Sequence, residues 1–227
     1  MRSVITSSWL CRTVGLTLAG ILAGCSNAVV FVEGTVPRPL IEPYPISIGV
    51  ILPTNLKEYK LIDESTGRNE VSVEINLGKA QDRLWKTLLT SIFEEVVFIE
   101  SYDDLKKSNI DAVFKVDVTA MQYGNPKHTK MEVYEVWFEY QFSWFEKNQI
   151  EPSETGVIDL SQAQPFSRWK TTAYGKRPYT GSLLENYGDE TEIATMNALR
   201  DTGASFILSL PADPGFRSLM SNQETKK

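Results

Sequence analysis

Cysteine and histidine are scarce in this chain of 227 residues, which has two cysteines and one histidine. A structural zinc site takes about four cysteine or histidine ligands, so the composition excludes a site of the ordinary kind. Cys11 and Cys25 both lie near the N-terminus, and the rest of the chain has no cysteine with which to form a disulfide. We therefore expect a fold that is held together by its hydrophobic core, without a metal or another cofactor.

The N-terminal apolar run, Val14–Leu22, is too short for a permanent membrane span, because a helix needs about 20 apolar residues to cross a bilayer. Arg2 and Arg12 provide positive charge before this run, and small residues follow it. These three parts are typical of a secretory signal. We predict that residues 1–24 form a signal peptide that is removed.

The predicted signal ends in Leu22-Ala23-Gly24-Cys25, which resembles the lipobox of bacterial lipoproteins. The alternative is a chance cysteine at the end of an ordinary signal. The resemblance implies that Cys25 becomes the mature N-terminus and carries acyl chains such as palmitate, and two or more chains anchor a protein stably. Ser26 stands where an inner-membrane lipoprotein would have a retention residue such as Asp. The resemblance therefore implies the periplasmic side of the outer membrane.

Positive charge is not in excess, since 23 Lys and Arg residues face 29 Asp and Glu residues and give a formal charge of −6. Loss of Arg2 and Arg12 with the signal would make the charge more negative by two. Nucleic acid is not an expected partner, because binding to it depends on clustered positive charge. Hydrophobic content of 42% and aromatic content of 11% are typical of a globular protein.

Residues 25–45 combine the candidate lipid site with a proline-rich stretch, which we interpret as an extended tether. The prolines are Pro37, Pro39, Pro43 and Pro45. The apolar segment Val29–Val32 is unusual for a free linker. We leave two alternatives open, that this segment lies along the domain or that it packs on a partner.

Hydrophobic periodicity predicts an α/β domain over residues 46–215, followed by a flexible tail over residues 216–227. The two predicted helices are amphipathic, with Asn76 as the cap of the first and Asp189 with Glu192 as a capping box of the second. Residues 111–123 and 134–144 form a predicted long hairpin. We expect a two-layer sandwich in which a mainly antiparallel sheet carries both helices on one face. The predicted strands are Ile46–Leu52, Val71–Asn76, Val96–Ile99, Asp111–Tyr123, Tyr134–Trp144 and Phe166–Tyr174, and the predicted helices are Leu77–Glu95 and Glu190–Ser209.

Catalytic constellations are not evident in the sequence, and we do not expect an enzyme. His128 is the single histidine, and it stands in a charged turn without a nucleophile-elbow serine nearby. The acidic pairs Glu94-Glu95 and Asp103-Asp104 could form a glycosidase-like carboxylate pair. Their positions, at a helix end and at the start of a turn, favour solvated charge instead.

Aromatic residues mark the predicted hairpin. The aromatic stripe, which comprises Tyr134, Val136, Phe138, Tyr140, Phe142 and Trp144, reads as a core face. Trp137 lies on the opposite face, together with Met121 and Tyr123 of the partner strand. These side chains indicate either a partner-binding surface or a surface that the loop Glu146–Arg168 covers. Lys127, His128 and Lys130 at the hairpin tip could meet lipid phosphates or an acidic patch of a partner.

The order of elements resembles two kinds of envelope lipoprotein, the lipopolysaccharide-assembly lipoprotein and proteins with a domain like the N-terminal part of the Tol-system propeller protein. The residues that carry this resemblance are Asn76-Leu77-Gly78 and the strand Ile48-Gly49-Val50-Ile51-Leu52-Pro53, after which Thr54 replaces the aromatic residue of the Tol-like pattern. The resemblance implies a non-enzymatic adaptor in an envelope complex, anchored to the membrane by lipid. The sequence leaves the oligomeric state open.

Two further hypotheses stand beside the adaptor. The second is a lipid or glycolipid carrier that uses the aromatic stripe, and the third is an envelope hydrolase. A carrier should have a closed apolar cavity beneath its helices. An adaptor should have a filled core with an exposed aromatic side chain or an unpaired strand edge. A hydrolase should place His128 within hydrogen-bond reach of a nucleophile.

Overall fold

The computed structural model describes residues 27–64, 72–126, 132–152, 158–160, 162–179 and 187–226. The elements of these ranges include both strands and helices, as expected for an α/β protein. The strands are β1 (Asn27–Phe31), β2 (Tyr44–Ile51), β3 (Lys60–Asp63), β4 (Ser72–Asn76), β5 (Phe93–Phe98), β6 (Ala112–Gly124), β7 (Val133–Phe145), β8 (Glu151–Pro152), β9 (Ile158–Asp159) and β10 (Ser167–Pro178). The α-helices are α1 (Thr54–Lys57), α2 (Gly78–Ile92), α3 (Tyr102–Lys107), α4 (Tyr187–Ser209) and α5 (Pro214–Lys226).

The main sheet has five strands in the order β10-β7-β6-β2-β5. The pairs β10–β7 and β7–β6 are antiparallel, whereas β6–β2 and β2–β5 are parallel. The predicted hairpin is confirmed, but the sheet is mixed, and the prediction of a mainly antiparallel sheet is wrong. The reason is connectivity, since α2 lies between β2 and β5 and lets the chain return in the same direction.

A second sheet has three strands in the order β1-β4-β3, with β1 parallel to β4. Val30 and Val32 are 3% and 4% exposed and belong to the main core. Residues 27–32 of the predicted tether therefore pack on the domain, and the alternative in which Val29–Val32 lies along the domain is the one observed. Alternating side chains explain this packing, because every second residue of a strand points to the same face.

One face of the main sheet carries α2 and α4, and it holds the densest part of the core. Trp85 of α2 contacts Tyr140, Phe142 and Phe206, with ring centroids 5.3, 5.3 and 5.4 Å apart. The Tyr140 hydroxyl donates a hydrogen bond of 2.6 Å to Gln81, and burial raises its pKa well above the ordinary value. The whole aromatic stripe is at most 1% exposed, which confirms it as a core face.

Among the described residues, those that cover the opposite face of the sheet lie over one half of it, and they belong to α3 and to the segments on either side of β8 and β9. Leu105 and Ile150 pack there on Val113 and Phe145 in a separate hydrophobic cluster. Lys147 fastens this cover, because its ammonium group donates a hydrogen bond of 2.5 Å to the carbonyl of Ser108. We call this region the covered half of the face.

The termini of the predicted helices differ from the sequence prediction. α2 ends at Ile92 because Phe93 begins β5, and its N-cap is Leu77 rather than Asn76, with no side-chain hydrogen bond. α4 begins at Tyr187, so Asp189 lies within its first turn and is not the predicted cap. A capping box does occur at α3, where Ser101 and Asp104 exchange hydrogen bonds.

The predicted flexible tail is wrong, because residues 214–226 form α5. Phe216 is 3% exposed and contacts Tyr44 edge to face at 4.8 Å. Asp213 holds the start of the helix by accepting a hydrogen bond of 3.0 Å from the backbone N–H of Phe216 and one of 2.5 Å from the hydroxyl of Ser167. The segment therefore closes the core beside β2 and β5.

Candidate functional site

The uncovered half of the outer sheet face carries the candidate site, and Trp137 lies at its centre. Among the predicted site residues, the structure describes Trp137 and Tyr123. Cys25, Lys127 and Lys130 lie outside the described residues, as do His128 and the predicted signal peptide. The described residues thus test the aromatic part of the predicted partner-binding surface.

Tyr123 is not on the surface with Trp137, and this part of the prediction is wrong. Tyr123 packs against the main core, and its hydroxyl lies 3.0 Å from that of Thr191 on α4. Met121 also belongs to the core. Both side chains therefore point towards the helices and cannot contribute to the outer face.

A β-bulge at Thr119 causes this change of face. Val118 pairs with Tyr140 and Ala120 pairs with Glu139, so Thr119 is an extra residue without a partner opposite. One inserted residue reverses the alternation of every residue that follows it. Ala120 is exposed, and Gln122 rather than Tyr123 is the neighbour of Trp137 on the adjacent strand.

Tyr174 and Glu135 complete the Trp137 surface, which we define as Trp137, Tyr174, Glu135 and Gln122. Tyr174 of β10 pairs with Trp137 in register, and the two ring centroids are 5.0 Å apart. The Tyr174 hydroxyl donates a hydrogen bond of 2.6 Å to Glu135. Burial, followed by this hydrogen bond and the carboxylate charge, raises the pKa of Tyr174 to about 12. The hydrogen bond to Glu135 orients the Tyr174 ring, which packs against Trp137.

A polar network borders the Trp137 surface at the bulge. Glu139 accepts hydrogen bonds of 2.7 Å from Lys170 and 2.6 Å from the hydroxyl of Thr119. The bond from Lys170 is the main cause, and that from Thr119 the second, of the lowered pKa of Glu139. The rim is thus charged and hydrogen-bonded, as is usual around an aromatic contact patch.

Helix α4 fixes the position of β10 and so of Tyr174. A Cβ atom on Gly175 would lie 2.2 Å from both the carbonyl oxygen of Ala194 and the amide nitrogen of Ala198, so only glycine permits this approach. Asp201 accepts a hydrogen bond of 2.9 Å from the backbone N–H of Tyr174. Asn197 donates one of 3.1 Å to the carbonyl of Lys176. These contacts occupy backbone groups of an edge strand that would otherwise be open to pairing.

The described part of the loop Glu146–Arg168 packs away from Trp137 and does not cover it. Its Ile150, Ile158 and Leu160 pack in the cluster of the covered half, around Phe145, at the other end of β7 from Trp137. Trp137 remains partly exposed. Of the two alternatives in the sequence, exposure is the one that the described residues support.

The space beneath α2 and α4 is filled by aromatic side chains. Phe206 of α4 contacts Phe142 at 4.8 Å, and Phe114 contacts Trp144 at 4.4 Å between ring centroids. An open groove of about 890 Å³ lies elsewhere, between α3 and α5, where Leu105 and Leu219 are among its lining residues. The described core therefore matches the adaptor expectation better than that of a carrier with a closed cavity against the stripe.

Metal-binding groups do not come together in the described ranges, where no three His, Cys, Asp or Glu side chains are arranged to hold an ion. The two acidic pairs lie on different elements, Glu94 and Glu95 on the edge strand β5 and Asp103 and Asp104 in the first turn of α3. None of the helices described combines the length and apolar character needed to cross a membrane.

Sequence reasoning missed Tyr174 and Glu135 as members of the surface. Phe166–Tyr174 was predicted as a strand, but its alternation does not reveal which residue of β7 lies beside which residue of β10. The observed register, Tyr174 with Trp137, depends on long-range pairing. Glu135 is 8% exposed and accepts the hydrogen bond of Tyr174, a contact that depends on the same long-range register.

Comparison with known proteins does not assign the chain to a family. No family model and no curated protein matches it. A Xanthomonas campestris protein of the DUF330 family is 10% identical with a TM-score of 0.46, and the alignment covers 88% of this chain and 99% of that one. A minor lipoprotein from Acinetobacter baumannii is 14% identical with a TM-score of 0.36, covering 82% of this chain and 96% of that one. Likeness at this level fixes neither family nor function.

Proposed function

We propose that this protein is a non-enzymatic adaptor of an envelope complex, held by acyl chains on Cys25 and docked to a partner protein through the Trp137 surface. The observation that carries the proposal is the partly exposed Trp137–Tyr174 ring pair, which lies on the half of the sheet face that none of the described residues covers. Aromatic side chains with a hydrogen-bonded rim are typical of the centre of a protein interface.

The arrangement of the surface suits docking rather than chemistry. Tyr174 is held by its hydrogen bond to Glu135 and by the close approach of α4 at Gly175, and Trp137 packs against the Tyr174 ring, so little side-chain freedom would be lost on binding. The lipobox-like Leu22-Ala23-Gly24-Cys25 supplies the anchor in this proposal, and Ser26 favours the outer membrane. The element order resembles lipoproteins of two kinds, the lipopolysaccharide-assembly lipoprotein and proteins with a domain like the N-terminal part of the Tol-system propeller protein.

Site-specific crosslinking tests the docking surface. A photoreactive amino acid at Gln122, beside Trp137, should give a crosslinked product of defined mass in membranes that hold the native lipidated protein. Trp137→Ala in the same chain should remove this product. The same amino acid at Leu208, which is 79% exposed on α4, is the matched control and should give none. A product that persists with Trp137→Ala, or that forms equally from Leu208, would contradict the docking surface.

The anchor has a separate test. Cys25→Ala should move the protein from the membrane fraction to the soluble periplasmic fraction, because the thiol is the acceptor of the diacylglycerol. Cys25→Ser is the closer control, since it keeps the size of the side chain and removes only the nucleophilic sulfur. Retention of either variant on the membrane, without loss of yield, would refute lipid anchoring.

A further inference from the structure

The three-stranded sheet begins almost at the candidate lipid site. Asn27, the first residue of β1, is two residues after Cys25. Two residues span about 7 Å at most, even when fully extended. If Cys25 is acylated, as the proposed function requires, the end of this sheet is held within that distance of the lipid. The question is then which face of the sheet points towards the bilayer.

The outer face of this sheet carries three exposed apolar side chains. Val29 and Phe31 of β1 are 50% and 63% exposed, and Ile62 of β3 is 62% exposed. The register places Val29 and Ile62 on either side of Glu74, and Phe31 beside Asn76. Large apolar side chains in such proximity usually mark a contact with a protein or a membrane.

Basic side chains lie next to Phe31, interspersed with carboxylates. A groove of about 370 Å³ runs from Phe31 to the start of α2, and it is lined by Lys57, Lys60, Lys79 and Arg83 as well as by the carboxylates of Glu33 and Glu58. Lys57 and Lys60 form exposed ion pairs with Glu100 and Glu74. Exposed pairs of this kind are weak and exchange readily with other anions.

We propose that the outer face of the β1-β4-β3 sheet is the surface that lies on the membrane. Val29, Phe31 and Ile62 enter the boundary between headgroups and acyl chains, and Lys79 and Arg83 meet lipid phosphates. The occupant is an anionic bilayer, for which apolar side chains with a cationic rim are the expected combination. The short connection to Cys25 would hold this face there, so the anchor and the sheet act as one contact.

Fluorescence labelling of the lipidated protein tests this orientation. Cys11 leaves with the signal and Cys25 is acylated, so one introduced cysteine is the single free thiol for an environment-sensitive dye. In vesicles of phosphatidylcholine and phosphatidylglycerol, labels at Phe31→Cys and Ile62→Cys should show a blue-shifted emission and should lose it when doxyl-labelled lipids are added. A label at Leu208→Cys, on α4, is the matched control and should keep its emission.

The outcomes separate this inference from the proposed function. Flotation of the same samples in a density gradient measures whether the protein is attached to the vesicles. If the protein fails to float with the vesicles, the proposed lipid anchor is wrong. If it floats while the labels at positions 31 and 62 behave like the label at 208, the anchor stands and the membrane-facing sheet is overturned. In vesicles of phosphatidylcholine alone, doxyl-labelled lipids should quench the label at position 31 less than they do in vesicles that also contain phosphatidylglycerol. Equal quenching in the two kinds of vesicle would overturn the role of Lys79 and Arg83.

Discussion

The outer face of the main sheet consists of two halves whose side chains are packed in different ways. On the covered half, Val113 and Phe145 are buried under α3 and the segments around β8 and β9. On the other half, which we call the open half, no described residue forms such a cover over Trp137, and Trp137 packs against Tyr174, whose hydroxyl donates a hydrogen bond to Glu135. The same two strands, β6 and β7, build both halves. Cover therefore separates the side chains that are buried in the core from those that remain exposed to solvent.

The largest effect is expected on the covered half. Phe145→Ala should lower the free energy of unfolding by about 3–5 kcal/mol, because it removes a buried ring and leaves a cavity. Phe145→Leu is the control and should cost clearly less, since it keeps most of the apolar volume. Urea unfolding at neutral pH measures both variants. A loss below about 1 kcal/mol for Phe145→Ala would mean that the cover does not pack tightly on this half.

The second largest loss of stability is expected where α4 positions strand β10 of the open half. Gly175→Ala should destabilise the protein by about 1–3 kcal/mol, because the new methyl group meets the backbone of Ala194 and Ala198 at 2.2 Å. Gly203→Ala is the matched control, since its methyl group would lie 3.7 Å from Leu84 and would improve the helix propensity of α4. Thermal unfolding compares the two. Equal behaviour would show that α4 can move away from β10 at little cost.

A smaller effect is expected from the ring pair itself. In a double-mutant cycle of Trp137→Ala and Tyr174→Ala, the coupling free energy should be about 0.5–1.5 kcal/mol, as for other aromatic pairs. Each single variant should cost less than Phe145→Ala, because both rings are partly exposed. Additive effects, with no measurable coupling, would remove the ring pair as the organising contact of the open half.

The smallest expected effect is a shift in titration. Burial, the hydrogen bond to Glu135 and its charge raise the pKa of Tyr174 to about 12 from an ordinary value of 10.0. The folded protein thus holds this proton more tightly than the unfolded chain, so the contribution to stability is complete below pH 10 and is lost as the pH rises towards 12.

The absorbance difference between the wild type and Tyr174→Phe follows this titration at the tyrosinate band. When Glu135→Gln is added to both the wild type and the Tyr174→Phe variant, the midpoint of the Tyr174 titration should fall, because the carboxylate charge is removed. The midpoint should remain above the ordinary pKa of tyrosine, because burial is the larger cause of the shift. An unchanged midpoint would mean that Glu135 does not act on Tyr174.

Periodicity was sufficient for the elements that bury one regular face. The aromatic stripe of β7 and the stripe of α2 follow their expected periods, and both are buried. Periodicity failed at Thr119, because a bulge leaves no mark in the composition and yet exchanges the faces of Met121 and Tyr123. For the candidate site this means that Trp137 could be predicted and its neighbours could not.

Two short segments were missed for a different reason. β1 has only five residues, and its pairing with β4 joins parts of the chain that are far apart in sequence. α5 has a weak apolar pattern and depends on the burial of Phe216 and the hydrogen bonds of Asp213. Tertiary contacts of this kind override local propensity, which is why a tether and a flexible tail were predicted instead.

The parallel pairing of β1 with β4 has a mechanical consequence. A pull on the chain upstream of Asn27 acts along the axis of β1, so the hydrogen bonds from Asn27 to Phe31 bear the load together in shear and do not open one at a time. Val30 and Val32 pass this load directly into the core. Tension at the N-terminus would therefore meet a stiff coupling rather than slack chain, and a movement of the attachment point would turn the whole body of the protein with it.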